Sequence, residues 1–102
     1  MGSPSPYAVP IDAALGSSEP LGRLAARLRE SQARLDTVRP SLAPPLRELV
    51  RAGPLDDDGW ALLVPHPAAA AKLRQQLPAL VEALEAAGWP QRALRVRIVA
   101  GG

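Results

Sequence analysis

Residues 51–100 read RAGPLDDDGWALLVPHPAAAAKLRQQLPALVEALEAAGWPQRALRVRIVA, and different hydrophobic periods follow one another in this stretch. The outer segments alternate apolar and polar residues, which is typical of strands, and the middle segment repeats in steps of three and four, which is typical of a helix. Proline and glycine end each segment. The sequence therefore predicts strand, helix and strand in this order.

The first part of the stretch predicts a β-hairpin. Residues 52–55 form a short strand, and residues 56–59 are a tight turn because Asp and Gly accept a positive φ. The return strand is expected at residues 60–64, ended by the Pro65-His66-Pro67 sequence. Its alternation places Trp60, Leu62 and Val64 on one face.

The middle segment carries the strongest helical signal of the chain. Its apolar ridge is Ala70, Leu73, Leu77, Leu80, Leu84 and Ala87. Pro78 removes a backbone donor inside this segment, so we expect a kink or a split into two helices near Gln76. Gly88 supplies a left-handed cap, and Pro90 prevents continuation.

The last strand, residues 94–99, has two faces. Its pattern buries Leu94, Val96 and Ile98 and directs Arg95 and Arg97 to the other face. The pattern does not decide whether this strand runs parallel or antiparallel to its neighbour.

Upstream of the stretch, the sequence predicts an arm and two helices. The proline-rich residues 1–18 are expected to be a disordered arm. A helix begins after the capping serines at 17 and 18 and ends near Thr37 or Val38, because Pro40 biases the preceding residue out of the helical region. One arc of this helix carries Leu21, Leu24, Leu28 and Leu35, and the opposite arc carries Arg23, Arg27, Glu30 and Arg34. A short second helix follows Ser41 and buries Leu42, Leu46, Leu49 and Val50.

This order of elements predicts an α+β fold, with one layer of helices packed on a small three-stranded sheet. The chain has 102 residues, enough for one domain, which we place at residues 19–100. The expected core sets the ridge Leu73, Leu77, Leu80 and Leu84 against Leu62, Val64, Val96 and Ile98.

Several function classes lack the residues that they need. The chain has no cysteine, which excludes disulfides, thiolate metal sites and cysteine nucleophiles. It has no apolar run of about 18 residues and no signal-peptide pattern, so we expect a cytoplasmic protein. Residues 56–58 lack the spaced partners of a calcium loop, and we interpret them as a solvated turn. His66 has no nucleophile or second histidine beside it, and no glycine-rich phosphate loop occurs. The sequence predicts no enzyme, no cofactor and no metal.

The basic residues are nearly all arginine, with Lys72 as the single lysine, and the net charge is +2. Arg23, Arg27 and Arg34 form one stripe, and Arg95 with Arg97 forms a second pair. Each guanidinium can bind phosphate through two hydrogen bonds, and the alternative is a solvated face balanced by acidic neighbours. Since the chain has three aromatic residues, we expect contacts with the nucleic-acid backbone rather than base stacking.

Four runs of this sequence resemble the DciA family of bacterial proteins that load or operate the replicative helicase. The runs are LVRAGPL at 49–55, GWALLV at 59–64, HPAAAAKLR at 66–74 and LRVRI at 94–98. The resemblance covers roughly residues 19–100. It implies a fold similar to the K-homology domain, with αββααβ order, and binding to a DnaB-type helicase and to DNA without ATPase activity.

The resemblance also implies site residues. Lys72, Leu73 and Arg74 match the family's basic helix core, and Arg95 with Arg97 matches its last strand. The predicted nucleic-acid contacts are Lys72, Arg74, Arg95, Arg97, Arg23 and Arg27. The alternative is a general K-homology-like module that binds RNA or DNA without a helicase partner, although the chain has no Gly-x-x-Gly loop.

Overall fold

A computed structural model of the protein describes residues 19–99. The predicted disordered arm at residues 1–18 lies outside these residues. The elements are helix α1 (Glu19–Val38), a 3-10 turn (Arg39–Ser41), the short helix α2 (Pro44–Arg47), strands β1 (Arg51–Asp56) and β2 (Gly59–Val64), helix α3 (Pro67–Ala86) and strand β3 (Leu94–Ile98).

The three strands form one mixed sheet in the order β1-β2-β3. The β1-β2 hairpin is antiparallel, and β3 runs parallel to β2 because α3 crosses over between them. Core-facing Trp60, Leu62 and Val64 of β2 pack in one cluster with buried residues of α1 and α3. Both helices therefore cover the same face of the sheet, and the protein is an α+β domain as predicted.

The predicted core is confirmed at most positions. Leu73 and Leu80 of α3 are fully buried, and Leu77 is half-buried at the edge of the cluster. The prediction that Ile98 is buried is wrong, since its side chain is 46% exposed. Ile98 ends β3, which is an edge strand with a neighbour on one side only.

Helix α3 is continuous through Pro78, so the predicted split into two helices is wrong. Pro78 lies on the exposed side, where water can satisfy the carbonyl that loses its donor. The predicted left-handed cap is confirmed, because Gly88 has a φ of +86° and its N–H donates to the Glu85 carbonyl at 3.0 Å. At the other end, Nδ1 of His66 accepts a hydrogen bond from the Ala69 N–H at 3.1 Å and caps the helix.

Helix α1 ends at Val38 as predicted, but its buried face differs from the predicted leucine arc. Leu21, Leu24 and Leu28 are 43%, 53% and 63% exposed. The residues of α1 that enter the core are Ser31, Arg34, Leu35 and Val38. The core-facing stripe therefore begins only in the fourth turn, where the helix reaches Trp60.

Arg34 belongs to the predicted polar arc and is fully buried. Its guanidinium contacts the Glu30 carboxylate at 2.7 Å, donates to the Pro90 carbonyl at 3.0 Å and lies 5.1 Å from the centre of the Trp89 ring. These contacts join α1 to the segment that links α3 to β3. Arg34 is thus a structural residue, and its predicted place in an exposed basic stripe is wrong.

Candidate nucleic-acid interface

One face of the sheet carries no helix, and three arginines project from it. Side chains alternate between the faces of a strand, so Arg95 and Arg97 point away from the helical layer. In the register of the sheet, Arg51 of β1 pairs with Leu63 of β2, and Leu63 pairs with Arg97 of β3. Arg51 and Arg97 thus lie in one row across the sheet, about 10 Å apart at the backbone. We name Arg51, Arg95 and Arg97 the arginine face.

Small residues bring the strands of this face close together. The β1-β2 register shifts between Ala52 and Leu55, which is a bulge, and a Cβ atom on Gly53 would lie 2.8 Å from the Ala61 carbonyl oxygen. Gly59 has a φ of +138°, and a Cβ there would lie 2.4 Å from the Ala93 carbonyl oxygen. The Ala93 carbonyl oxygen accepts a hydrogen bond from the Trp60 N–H at 2.8 Å. Only glycine fits at both positions without moving the neighbouring backbone.

The electrostatics of the arginine face depend on Asp56. Nη2 of Arg95 lies 3.5 Å from the Asp56 carboxylate, and the Arg92 guanidinium donates to the Asp56 carbonyl at 3.2 Å. The pKa of Asp56 is lowered, first by the hydrogen bond from the Asp58 N–H and further by Arg95 and the Gly59 N–H, against the opposing effect of desolvation. Asp56 is therefore a carboxylate that offsets part of the charge of Arg95.

Arg95 retains hydrogen-bonding capacity despite this neighbour. Its distance to Asp56 is at the limit of a hydrogen bond, and its side chain is 39% exposed. Its Nε atom is buried and has no hydrogen-bond partner among residues 19–99, so an outside ligand would meet the exposed end of the guanidinium instead. A phosphate oxygen placed over the face would give Arg95 a charged acceptor.

The six predicted contact residues do not share one surface. Arg95 and Arg97 lie on the arginine face. Lys72 and Arg74 are exposed on α3, in the layer on the opposite face of the sheet, and two residues along a helix are about 200° apart around its axis. Arg23 and Arg27 line a groove beside β1, which is described below. Arg95 and Arg97 therefore lie on the same sheet face as Arg51. Lys72 and Arg74 lie on the other side of the sheet.

Sequence reasoning missed Arg51 and Arg92. Counting back from the two-residue turn at 57–58 would place Arg51 opposite core-facing Val64, and only the bulge between Ala52 and Leu55 moves it opposite Leu63. Arg92 precedes β3 in a segment without periodicity, and no sequence signal indicates its contact with Asp56. Both residues are exposed and add positive charge at the rim of the same face.

The arrangement suits binding of phosphate more than stacking of bases. Trp60 is fully buried, and Trp89 is half-buried with its indole N–H bonded to Thr37 at 3.0 Å, so neither ring lies on the arginine face. In the described part of the chain, no three His, Asp or Glu side chains come close enough to hold a metal ion. Across residues 19–99, no helix combines the length and apolar character needed to cross a bilayer.

The fold and this face define a small α+β domain with an arginine-bearing open sheet. Comparisons with protein-family models, with curated proteins and with solved structures gave no match to the chain.

Proposed function

We propose that this protein is a non-enzymatic adaptor of bacterial DNA replication that binds a DnaB-type helicase and contacts DNA weakly through its arginine face. Such an adaptor acts in the cytoplasm. The nucleic-acid part of this proposal is supported by the arginines on the sheet face that carries no helix. Arg51 and Arg97 lie in one row across that face, and Arg95 lies one row away. The helicase part rests on the resemblance to the DciA family.

The fold supports the resemblance in its order of elements. A helix, a hairpin, a long helix and a third strand follow one another, which agrees with the αββααβ order that the resemblance implies, except that one helix stands where two are expected. Helix α3 departs from that order because it continues through Pro78. We retain the K-homology-like fold as part of the proposal.

The arginine face predicts how tightly DNA binds and how salt weakens it. Three phosphate contacts on a single strand give a slope of about −2 in log affinity against log salt, or about a 20-fold loss between 50 and 200 mM salt. Reversing Arg95 and Arg97 to Glu removes two of these contacts and should abolish measurable binding. Fluorescence anisotropy with labelled single-stranded DNA of mixed sequence measures both effects.

The matched control reverses Lys72 and Arg74, which changes the net charge equally on another surface. We expect a smaller loss of DNA affinity from this variant, and it also tests the sequence-based prediction that these two residues contact phosphate. Equal losses in the two variants would contradict an interface on the sheet, since binding would then follow net charge alone.

A second candidate is a general K-homology-like module that binds nucleic acid without a helicase. The arginine face supports this candidate as much as the first, because its arginines indicate binding of phosphate and do not indicate a protein partner. Association of the full chain with the helicase separates the two.

A further inference from the structure

An exposed apolar groove lies between the first half of α1 and β1. Its volume is about 710 Å³, and both sides contribute to it. Leu24 and Leu28 form one wall at 53% and 63% exposure, and Leu55 and Leu63 of the hairpin contribute to the other side. We name this feature the leucine groove. Exposed apolar surface concentrated in one place indicates an interaction site.

Two complete helical ridges of α1 line the leucine groove. Residues four apart on a helix form a ridge, and the groove contains the ridge Pro20, Leu24, Leu28 and Gln32 together with the ridge Arg23, Arg27 and Ser31. These ridges extend over about 18 Å of helix. Ridges of this kind pack into the grooves of a second helix, and the leucines of the first ridge are more than half exposed. The geometry is that of helix-in-groove recognition.

The charges of the leucine groove indicate the chemistry of its occupant. Among the described residues that line it, Arg23 and Arg27 are the charged ones and none is acidic. Arg27 lies 3.1 Å from Asp57, whose side chain is 94% exposed. An exposed pair of this kind contributes little and can exchange for another carboxylate. A second basic helix, such as a second copy of α1 with the same arginines, is disfavoured here.

We propose that the leucine groove is the docking site for an amphipathic helix of the protein partner, with an apolar ridge flanked by acidic residues. This inference rests on the proposed function for the identity of that partner as the helicase. The apolar ridge contacts Leu24 and Leu28, and the acidic residues lie beside Arg27. The leucine groove adjoins the arginine face at Leu63, but neither Arg95 nor Arg97 lines the groove, so both remain accessible to nucleic acid.

The test uses the full chain and two probes. The first probe is the DnaB-type helicase of the same organism, and the second is a synthetic helical peptide of about five turns with leucines on one face and glutamates beside them. A peptide with lysines in place of the glutamates is its control. The variant Leu24→Gln with Leu28→Gln keeps the charge and the helix propensity. Leu21→Gln is the matched control, because Leu21 is exposed on the same helix and does not line the groove.

We expect the double variant to weaken binding of both probes at least about tenfold. Leu21→Gln should leave the affinity unchanged, and the lysine peptide should bind much more weakly than the glutamate peptide. Amide chemical-shift changes on titration of the peptide should concentrate in residues 20–32 and in β1. Circular dichroism and the thermal midpoint should be unchanged in all variants, because the substituted side chains are exposed.

The two probes separate the failure of this inference from the failure of the proposed function. If the wild-type chain binds the glutamate peptide in the leucine groove but not the helicase, the proposed function fails and the groove stands. If the helicase binds equally to wild type and to the double variant, the leucine groove is not its docking site, and the proposed function is unaffected. Nuclear Overhauser contacts from residues 1–18 to Leu28 in the free chain, or a dimer lost in the double variant, would also overturn the proposal.

Discussion

Replacing Ser31 by alanine tests how α1 is joined to the sheet. The Ser31 hydroxyl accepts a hydrogen bond from the Trp60 indole N–H at 2.8 Å and donates one to the Gly53 carbonyl at 2.6 Å. Ser31 is 3% exposed and Trp60 is fully buried, so water cannot replace the lost oxygen at the indole. Both groups lose their partner in Ser31→Ala, while the shape of the core hardly changes.

The expected cost follows from these two groups. An unpaired buried donor costs about 1–3 kcal/mol, and the Gly53 carbonyl adds less because that residue is half-buried, which gives about 2–4 kcal/mol in total. A domain of this size has roughly 5–10 kcal/mol of stability, so the change is large.

Urea unfolding at 25 °C, followed by tryptophan fluorescence and circular dichroism, measures this cost. Ser41→Ala is the control, because Ser41 is exposed, and it should stay within about 0.5 kcal/mol of wild type. A Ser31→Ala variant as stable as the Ser41→Ala control would show that the hydroxyl does not bridge α1 and the hairpin.

Four further predictions concern the turns, the buried arginine, DNA binding by the arginine face and the acid titration of Asp56. Gly59→Ala should cost about 1–3 kcal/mol in backbone strain and more from the clash with the Ala93 carbonyl, whereas Gly88→Ala, with open space around its Cβ, should cost about 1 kcal/mol in the same unfolding assay. Arg34→Ala should cost about 3 kcal/mol, because it removes a fully buried side chain together with its contacts to Glu30 and the Pro90 carbonyl, and an unchanged unfolding midpoint would contradict the burial of the guanidinium. Asp56→Asn should raise DNA affinity and steepen its salt dependence by up to one phosphate contact, since the charge offsetting that of the neighbouring guanidinium is removed. Folding lowers the pKa of Asp56, so the ionised carboxylate stabilises the folded protein at pH values above the ordinary pKa of an Asp side chain. This stabilisation is lost as the pH falls through the lowered pKa. Asp56→Asn should therefore lose less stability than wild type when the protein is titrated with acid.

Much of the architecture follows from local pattern. The hairpin, the long helix, its glycine cap and the last strand were all predictable, because each has a clear hydrophobic period and an end signal. The parallel pairing of β3 was not predictable, since alternation fixes the faces of a strand and not its direction. The continuity of α3 through Pro78 depends on that residue being exposed, which local pattern does not reveal.

Helix α1 shows where periodicity misleads. Its leucines at 21, 24 and 28 indicated the buried face, yet the helix enters the core through Ser31 and Arg34. A buried serine and arginine are recognised only when their partners, Trp60 and Glu30 among them, are known. The three leucines lie outside the core and are exposed, and the exposed apolar surface of Leu24 and Leu28 is the basis of the proposed docking site.

The candidate site was predictable in part. The alternation of the last strand correctly placed Arg95 and Arg97 together on one face. Arg51 joins them through the register of the sheet, which required the position of the bulge. The basic pair on α3 was matched by resemblance alone, and the helix carries it to another surface.

The most direct test of the adaptor function is the association of the full chain with the DnaB-type helicase of the same organism. Sedimentation velocity at micromolar concentrations, with the helicase hexamer in the presence of its nucleotide, reports binding without immobilising either protein. The proposal predicts that the chain co-sediments with the hexamer and that charge reversal at Arg95 and Arg97 leaves this association intact while DNA binding is lost. A chain that sediments alone at all concentrations tested would contradict the helicase adaptor.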